Sequence, residues 1–248
     1  METISTEWSD FAAPPIGAPT LFDDRLDAGR RLAAALRSQT PSDAVVVALS
    51  DGGVVVGAEI AHALRLPLDL LVVRKIRYPG APERVLGAVG PGYVTYVYTR
   101  ADLGHRRLAV AIADARAELE HADDRLHGER PPIDVRGRDV LIVDDGITTG
   151  ARMITATHWA RIQRVRRVIA AVPVAAAGAA DLVRGEVDLF VCPHELTGLG
   201  AVGIWYDEFE QPTHDDVRRL LDEARMDAAV TPTTPRRRLL HVGHRGSR

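Results

Sequence analysis

Short runs dominated by apolar residues, with no polar alternation inside them, recur along this chain, and each is followed by a turn and a segment of helical length. AVVVALS (44–50), LDLLVVRK (68–75), RDVLIVDD (138–145), RRVIAAVPV (166–174) and VDLFVCP (187–193) are these runs. A strand with one wet face alternates polar and apolar residues, so a continuous apolar run is buried on both faces. Between the runs, helical spacing or composition marks residues 22–37, 54–65, 101–127, 151–163, 178–184 and 213–226. Asp23 and Asp24 stand where a helix start wants an acidic cap, and Leu26, Arg30, Leu32, Ala33 and Leu36 follow at helical intervals. Strands alternating with helices require crossover connections, and these give parallel pairing. The expectation is an α/β fold, a parallel sheet covered by helices on both faces. It occupies residues 21–228, between a proline-rich arm over 1–20 and a basic, disordered tail over 229–248.

Composition removes several alternatives. The 248 residues are 46% hydrophobic and 26% charged, which is ordinary for a globular chain. No stretch approaches a membrane span and METISTEWSD has no signal-peptide pattern, so a cytoplasmic protein is expected. A single cysteine, Cys192, excludes an internal disulfide and a multi-thiolate zinc site. Net charge is −3, but the tail holds five arginines and no acid; the remaining 26 basic residues face 34 acidic ones, a net −8. A body that acidic is not a nucleic-acid surface, and the tail reads as a solvated end. Lys75 is the only lysine among 31 basic residues.

In an open parallel sheet, ligands bind beyond the carboxyl ends of the strands, which directs attention to the strand-to-helix turns. VLIVDDGITTG (140–150) is the most specific of them. Four apolar residues deliver Asp144 and Asp145 at a strand end, and Gly146, Ile147, Thr148, Thr149 and Gly150 close into a helix start. Small residues and hydroxyls there let amides ring a phosphate at the positive end of a helix dipole. Paired carboxylates repel a triphosphate and suit the vicinal hydroxyls of a ribose, so the segment reads as a site for a sugar with one phosphate. A Walker loop would need Gly-Lys-Ser/Thr, and a dinucleotide fingerprint G-x-G-x-x-G; SDGGVVVG provides neither. A nucleophilic-aspartate phosphatase would need its two aspartates one residue apart. The bland alternative is an acidic turn capping a helix.

On these residues the segment resembles the ribose-5-phosphate motif of type I phosphoribosyltransferases. The stretches DDRLDAGRRLA, GGVVVGAEIA, LDLLVVRKI, PGAPERVLGAV and AVGIWYDEF extend the resemblance over roughly 22–222, toward a bacterial group of unassigned substrate. The resemblance implies transfer of ribose 5-phosphate from phosphoribosyl pyrophosphate (PRPP) to a nitrogen nucleophile, with Mg²⁺ as cofactor, no metal site built from protein ligands alone, and PRPP and an unidentified acceptor as partners. It admits a homodimer. Carried over, Asp144 and Asp145 hold the ribose hydroxyls and Gly146–Gly150 the 5-phosphate. Asp51, Gly52 and Gly53 form the pyrophosphate loop, with Arg74 and Lys75 as a paired cation; Asp144, Asp145 and Lys75 are the expected catalytic set. Asp51 departs from the group, which usually presents Arg there. The Gly- and Pro-rich stretch 76–100, with Glu83 and Arg84, is expected to be a flexible loop that closes over the site. Gly203–Asp207 resembles a C-terminal hood whose Trp205 and Tyr206 would face the acceptor base. Thr148 stands where oxopurine relatives commonly carry Asp, which disfavours hypoxanthine and guanine. Cys192 and His194 read as strand-end packing. The alternative function is a PRPP or nucleotide sensor without catalysis, which Asp51 and the absent base-reading residue favour.

Overall fold

The structure is a computed structural model that describes residues 19–98, 103–127 and 130–230, with side chains at all of these except 50, 51 and 228–230. Most of the expected arm and tail therefore lies outside the described residues. In chain order the elements are α1 (Arg25–Leu36), β1 (Val45–Leu49), α2 (Ser50–Leu64), β2 (Leu68–Leu71), β3 (Arg74–Tyr78), β4 (Ala81–Val89), β5 (Thr95–Val97) and α3 (His105–His127). They continue as β6 (Asp139–Val143), α4 (Ala151–Ile162), β7 (Arg167–Ala171), β8 (Val174–Ala176), α5 (Ala177–Arg184), β9 (Leu189–Val191), β10 (His194–Leu196) and α6 (His214–Val230). Among the described residues, no helix is long and apolar enough to cross a membrane.

The central sheet has the order β2-β1-β6-β7-β9, parallel throughout. Every residue of β1 and β6 is buried, as continuous apolar runs require. Successive residues of β1 divide between two cores, with Val46 and Ala48 packing with Leu32, Ile60 and Leu126 on one face. Val45, Val47 and Leu49 pack with Met153, Ile154 and Ala180 on the other. The expected parallel sheet with helices on both faces is what the chain forms. From β1 the chain crosses to one side and from β6 to the other, which puts a topological switch point between these two strands. The turns after β1 and β6 meet there.

Three local expectations are corrected. Ser50-Asp51-Gly52-Gly53 is the first turn of α2 rather than a free loop, because the helix starts directly after β1. The run 68–75 is two strands: β2 stops at Leu71, the buried Val72 and Val73 carry the chain away, and Arg74 opens β3 in a second sheet. The segment 76–100 is not an irregular loop, although its last two residues lie outside those described. β3, β4 and β5 form an antiparallel sheet, with Lys75 opposite Ala88 and Gly87 opposite Val97. Burial explains its order, since Ile76 and Leu86 join one core and Val85 and Ala88 the other. Gly87 permits the close pairing, as a Cβ there would overlap the Tyr96 carbonyl.

Candidate functional site

The adjacent carboxylates at the end of β6 are almost covered, Asp144 at 2% and Asp145 at 8% exposure. Buried charges need partners, and each has its own arginine. Arg152, on the first turn of α4, places NH2 2.8 Å from Asp144 Oδ2. Arg25, at the start of α1, places Nε 3.0 Å and NH2 2.9 Å from Asp145 Oδ2. The Asp145 amide donates back to Asp144 Oδ1 at 3.0 Å, which fixes the relative orientation of the pair. Burial raises the Asp144 carboxyl well above the usual carboxylate range, while Arg152 pulls it down and Asp145 pushes it up. Arg152 retains 22% side-chain exposure against 5% for Arg25, so the Asp144 pair is the more easily opened of the two.

The glycines after β1 press against this pair. A Cβ on Gly52 would fall on Asp145 Oδ2 and within 2.8 Å of Arg25 Nε; one on Gly53 would lie 3.1 Å from Asp144 Oδ1. The expected pyrophosphate segment and the carboxylates are thus brought together. The side chain of Asp51 lies outside those described. Lys75 is brought to the same place from β3. Burial, reinforced by Arg152, lowers its ammonium to about 8, and Asp144 and Asp145 oppose that shift. Arg74, half-buried like Lys75, opens the same strand.

Beyond the carboxylates, the loop is pinned through Ile147, whose amide donates to the Val174 carbonyl at 3.0 Å and whose carbonyl accepts from the Ala176 amide at 2.8 Å. Tyr98 Oη donates to the Thr149 carbonyl. Gly146 fits against Val202, and Gly150 takes φ +80° before α4 begins. No side chain caps α4, so the amides of its first turn are left for another acceptor. Thr148 and Thr149 flank them, half-buried.

The segment after β10 covers one side of the site. Trp205 is half-buried and its Nε1 donates to the Leu199 carbonyl at 2.9 Å. Tyr206 is 4% exposed, packed between Phe22 and Phe209 with ring centroids at 5.1 and 5.0 Å. Its hydroxyl donates to the Asp145 carbonyl at 2.7 Å. Tyr206 therefore anchors this segment to the carboxylates and has no open face for a base, which corrects its expected role. Cys192 Sγ donates to the His194 carbonyl at 3.3 Å, and burial pushes the thiol up to about 12, consistent with packing.

Two residues of the site escaped the sequence reading. Arg25 lies on the stripe of α1 that also buries Ala28, Gly29, Leu32 and Leu36, and an arginine in an apolar stripe is the available signal. Arg152 is a cation at a helix N-terminus, where the dipole disfavours it unless an anion is near. Among the described residues, no three His, Cys, Asp or Glu side chains converge as a metal site.

A parallel sheet whose switch point holds paired acids, apposed glycines, a half-buried lysine and an uncapped helix start defines an α/β protein with a candidate site at its strand ends. A family model described as the phosphoribosyl transferase domain matches residues 20–195. A protein of Mycobacterium tuberculosis that is provisionally named a phosphoribosyl transferase is 39% identical over 217 residues, 84% of this chain and 48% of that protein. The chain thus spans about half the length of the curated relatives it matches. A crystal structure of a Thermus thermophilus protein is 37% identical, covers 82% of this chain and 98% of its own, and superposes with a TM-score of 0.69. The chain belongs to the phosphoribosyl transferase family.

Proposed function

We propose that the chain transfers ribose 5-phosphate from PRPP to a nitrogen nucleophile, a nucleobase or related heterocycle, with release of pyrophosphate. The observation that carries this reading is the convergence of Gly52, Gly53 and Lys75 on Asp144 and Asp145, which the first turn of α4 joins through Arg152. In this reading Asp144 and Asp145 accept hydrogen bonds from the ribose hydroxyls, and the amides and hydroxyls of 146–150 hold the 5-phosphate. Lys75 stabilises the charge that collects on pyrophosphate as the C1–oxygen bond breaks and the C1–nitrogen bond forms, the nitrogen then releasing its proton. Catalysis is by positioning and electrostatics, without a covalent intermediate. Arg152 yields Asp144 to the ribose, being the more exposed of the two arginines. Trp205 supplies the aromatic surface nearest the acceptor.

Mg²⁺ fits this donor set in a limited way. It commonly keeps waters and binds through one or two carboxylates and substrate phosphates, so two aspartates, with no third acid beside them among the described residues, suffice only if the ion arrives with PRPP. Asp144 and Asp145 would hold it, and it would offset the charge of the pyrophosphate.

One observation favours the alternative of a PRPP or nucleotide sensor: both carboxylates are neutralised by the chain's own arginines. Pyrophosphate release on mixing with PRPP, Mg²⁺ and a panel of nucleobases separates the two readings. Release dependent on one base supports transfer. Saturable PRPP binding without release supports the sensor, and a chain that binds neither PRPP nor a nucleotide and releases no pyrophosphate would overturn both.

A further inference from the structure

Arg25 belongs to three parts of the molecule at once. It is 4% exposed, and its Nε and NH2 both lie on Asp145 Oδ2. Its NH1 donates to the Glu210 carbonyl at 2.6 Å, and its Cζ stands 3.6 Å above the Phe209 ring. An arginine fork can hold a carboxylate and a second acceptor in fixed relation, which a point-charge ammonium does less well. The same two regions are joined around it. Tyr206 Oη donates to the Asp145 carbonyl, and the Asp207 and Glu208 amides donate to the Phe22 and Asp23 carbonyls at 2.9 and 2.8 Å. Gly52 leaves the room this contact needs, since any side chain there would strike both Arg25 and Asp145. The glycine is thereby accounted for by the ion pair as well as by any approach of an anion.

We propose that Arg25 is a positioning residue that couples the 202–210 segment to Asp145, so that the covering segment and the carboxylate are set in place together. On the reading that Asp145 binds the ribose of PRPP, occupancy of the ribose site then orders the side of the pocket that receives the acceptor. A buried arginine that served only to anchor α1 would have no such link.

Hydrogen exchange over 202–210 in the full chain tests this, with and without PRPP and Mg²⁺, in wild type, Arg25→Met, Arg25→Lys and Gly52→Ala. PRPP is expected to slow exchange there in wild type. Arg25→Met and Gly52→Ala should abolish that response at PRPP concentrations that saturate each variant, and Arg25→Lys should restore part of it. A wild-type response in saturated Arg25→Met would overturn the proposal. If wild type binds no PRPP, the ribose reading fails by itself and the coupling is read without ligand. Arg25→Met, Asp145→Asn and the double variant should then accelerate exchange over 202–210 to the same extent, about tenfold, because the two residues act as one unit. Multiplicative acceleration in the double variant would overturn the proposal. Gly52→Ala, which removes neither charge, provides the comparison if Arg25→Met does not fold.

Discussion

Single residues carry the site's response to pH. Lys75 is charged below its lowered value of about 8 and neutral above it. Pyrophosphate affinity is therefore expected to fall as pH rises through that value, and the fall should shrink in Lys75→Met, leaving the part that the raised Asp144 carboxyl contributes; calorimetric titration with pyrophosphate across the range checks both. His127, away from the site, has its pKa shifted upward rather than downward. Nδ1 lies 2.8 Å from Asp123 Oδ1 and Nε2 lies 3.0 Å from the Leu70 carbonyl, with Asp69 Oδ1 at 3.9 Å. Both ring nitrogens face acceptors, so the doubly protonated ring fits best, and hydrogen bonding to Asp123 is the largest cause raising its pKa. A raised folded value means that stability is fully present below the ordinary pKa of about 6.5 and is lost as pH rises through the folded value. Urea midpoints of wild type and His127→Gln should differ at about pH 5.5 and converge near about pH 9. Equal differences at both would assign His127 a packing role only. At this scale the sequence was uneven. Asp144, Asp145 and Lys75 were legible because acids at a strand end and a solitary lysine stand out, whereas Arg25 and Arg152 were hidden among thirty arginines.

Elements were legible where one physical rule acted alone. The strands β1, β6 and β7 follow from uninterrupted apolar runs, and α1 follows from its stripe and from Asp24, whose carboxylate accepts from the Asp27 amide at 2.7 Å. The antiparallel sheet was not legible, because its cues conflict. Charged residues flank Ile76 in β3, which imitates a solvated loop, and the glycine and proline content of β4 and its turns suggests irregularity. Gly87 and Gly90 are instead sites of close approach, against Tyr96 and Thr155 respectively. Tight pairing and a buried inner half predict slow exchange at the amides of Val85–Val89 without ligand, and fast exchange at the turn around Gly80, which is exposed. Uniformly fast exchange over 74–97 would restore the flexible-loop reading.

Across the whole molecule, the sheet order brings together residues far apart in the chain: Arg25, Gly52, Lys75, Asp145, Arg152 and Tyr206 meet only because β1 and β6 are neighbours and the chain leaves them in opposite directions. Sequence could supply the parallel sheet and the motif at its edge, but not which distant side chains would neutralise that motif. The central claim is that the paired carboxylates bind the ribose of PRPP. Calorimetric titration of PRPP with Mg²⁺ into wild type, Asp144→Asn and Asp145→Asn, each shown by circular dichroism to be folded at the working temperature, tests it most directly. Each substitution is expected to weaken binding by about 1.5–3 kcal/mol, the worth of a charge-assisted hydrogen bond. Wild-type affinity in both folded variants would contradict the assignment of the ribose to these two aspartates.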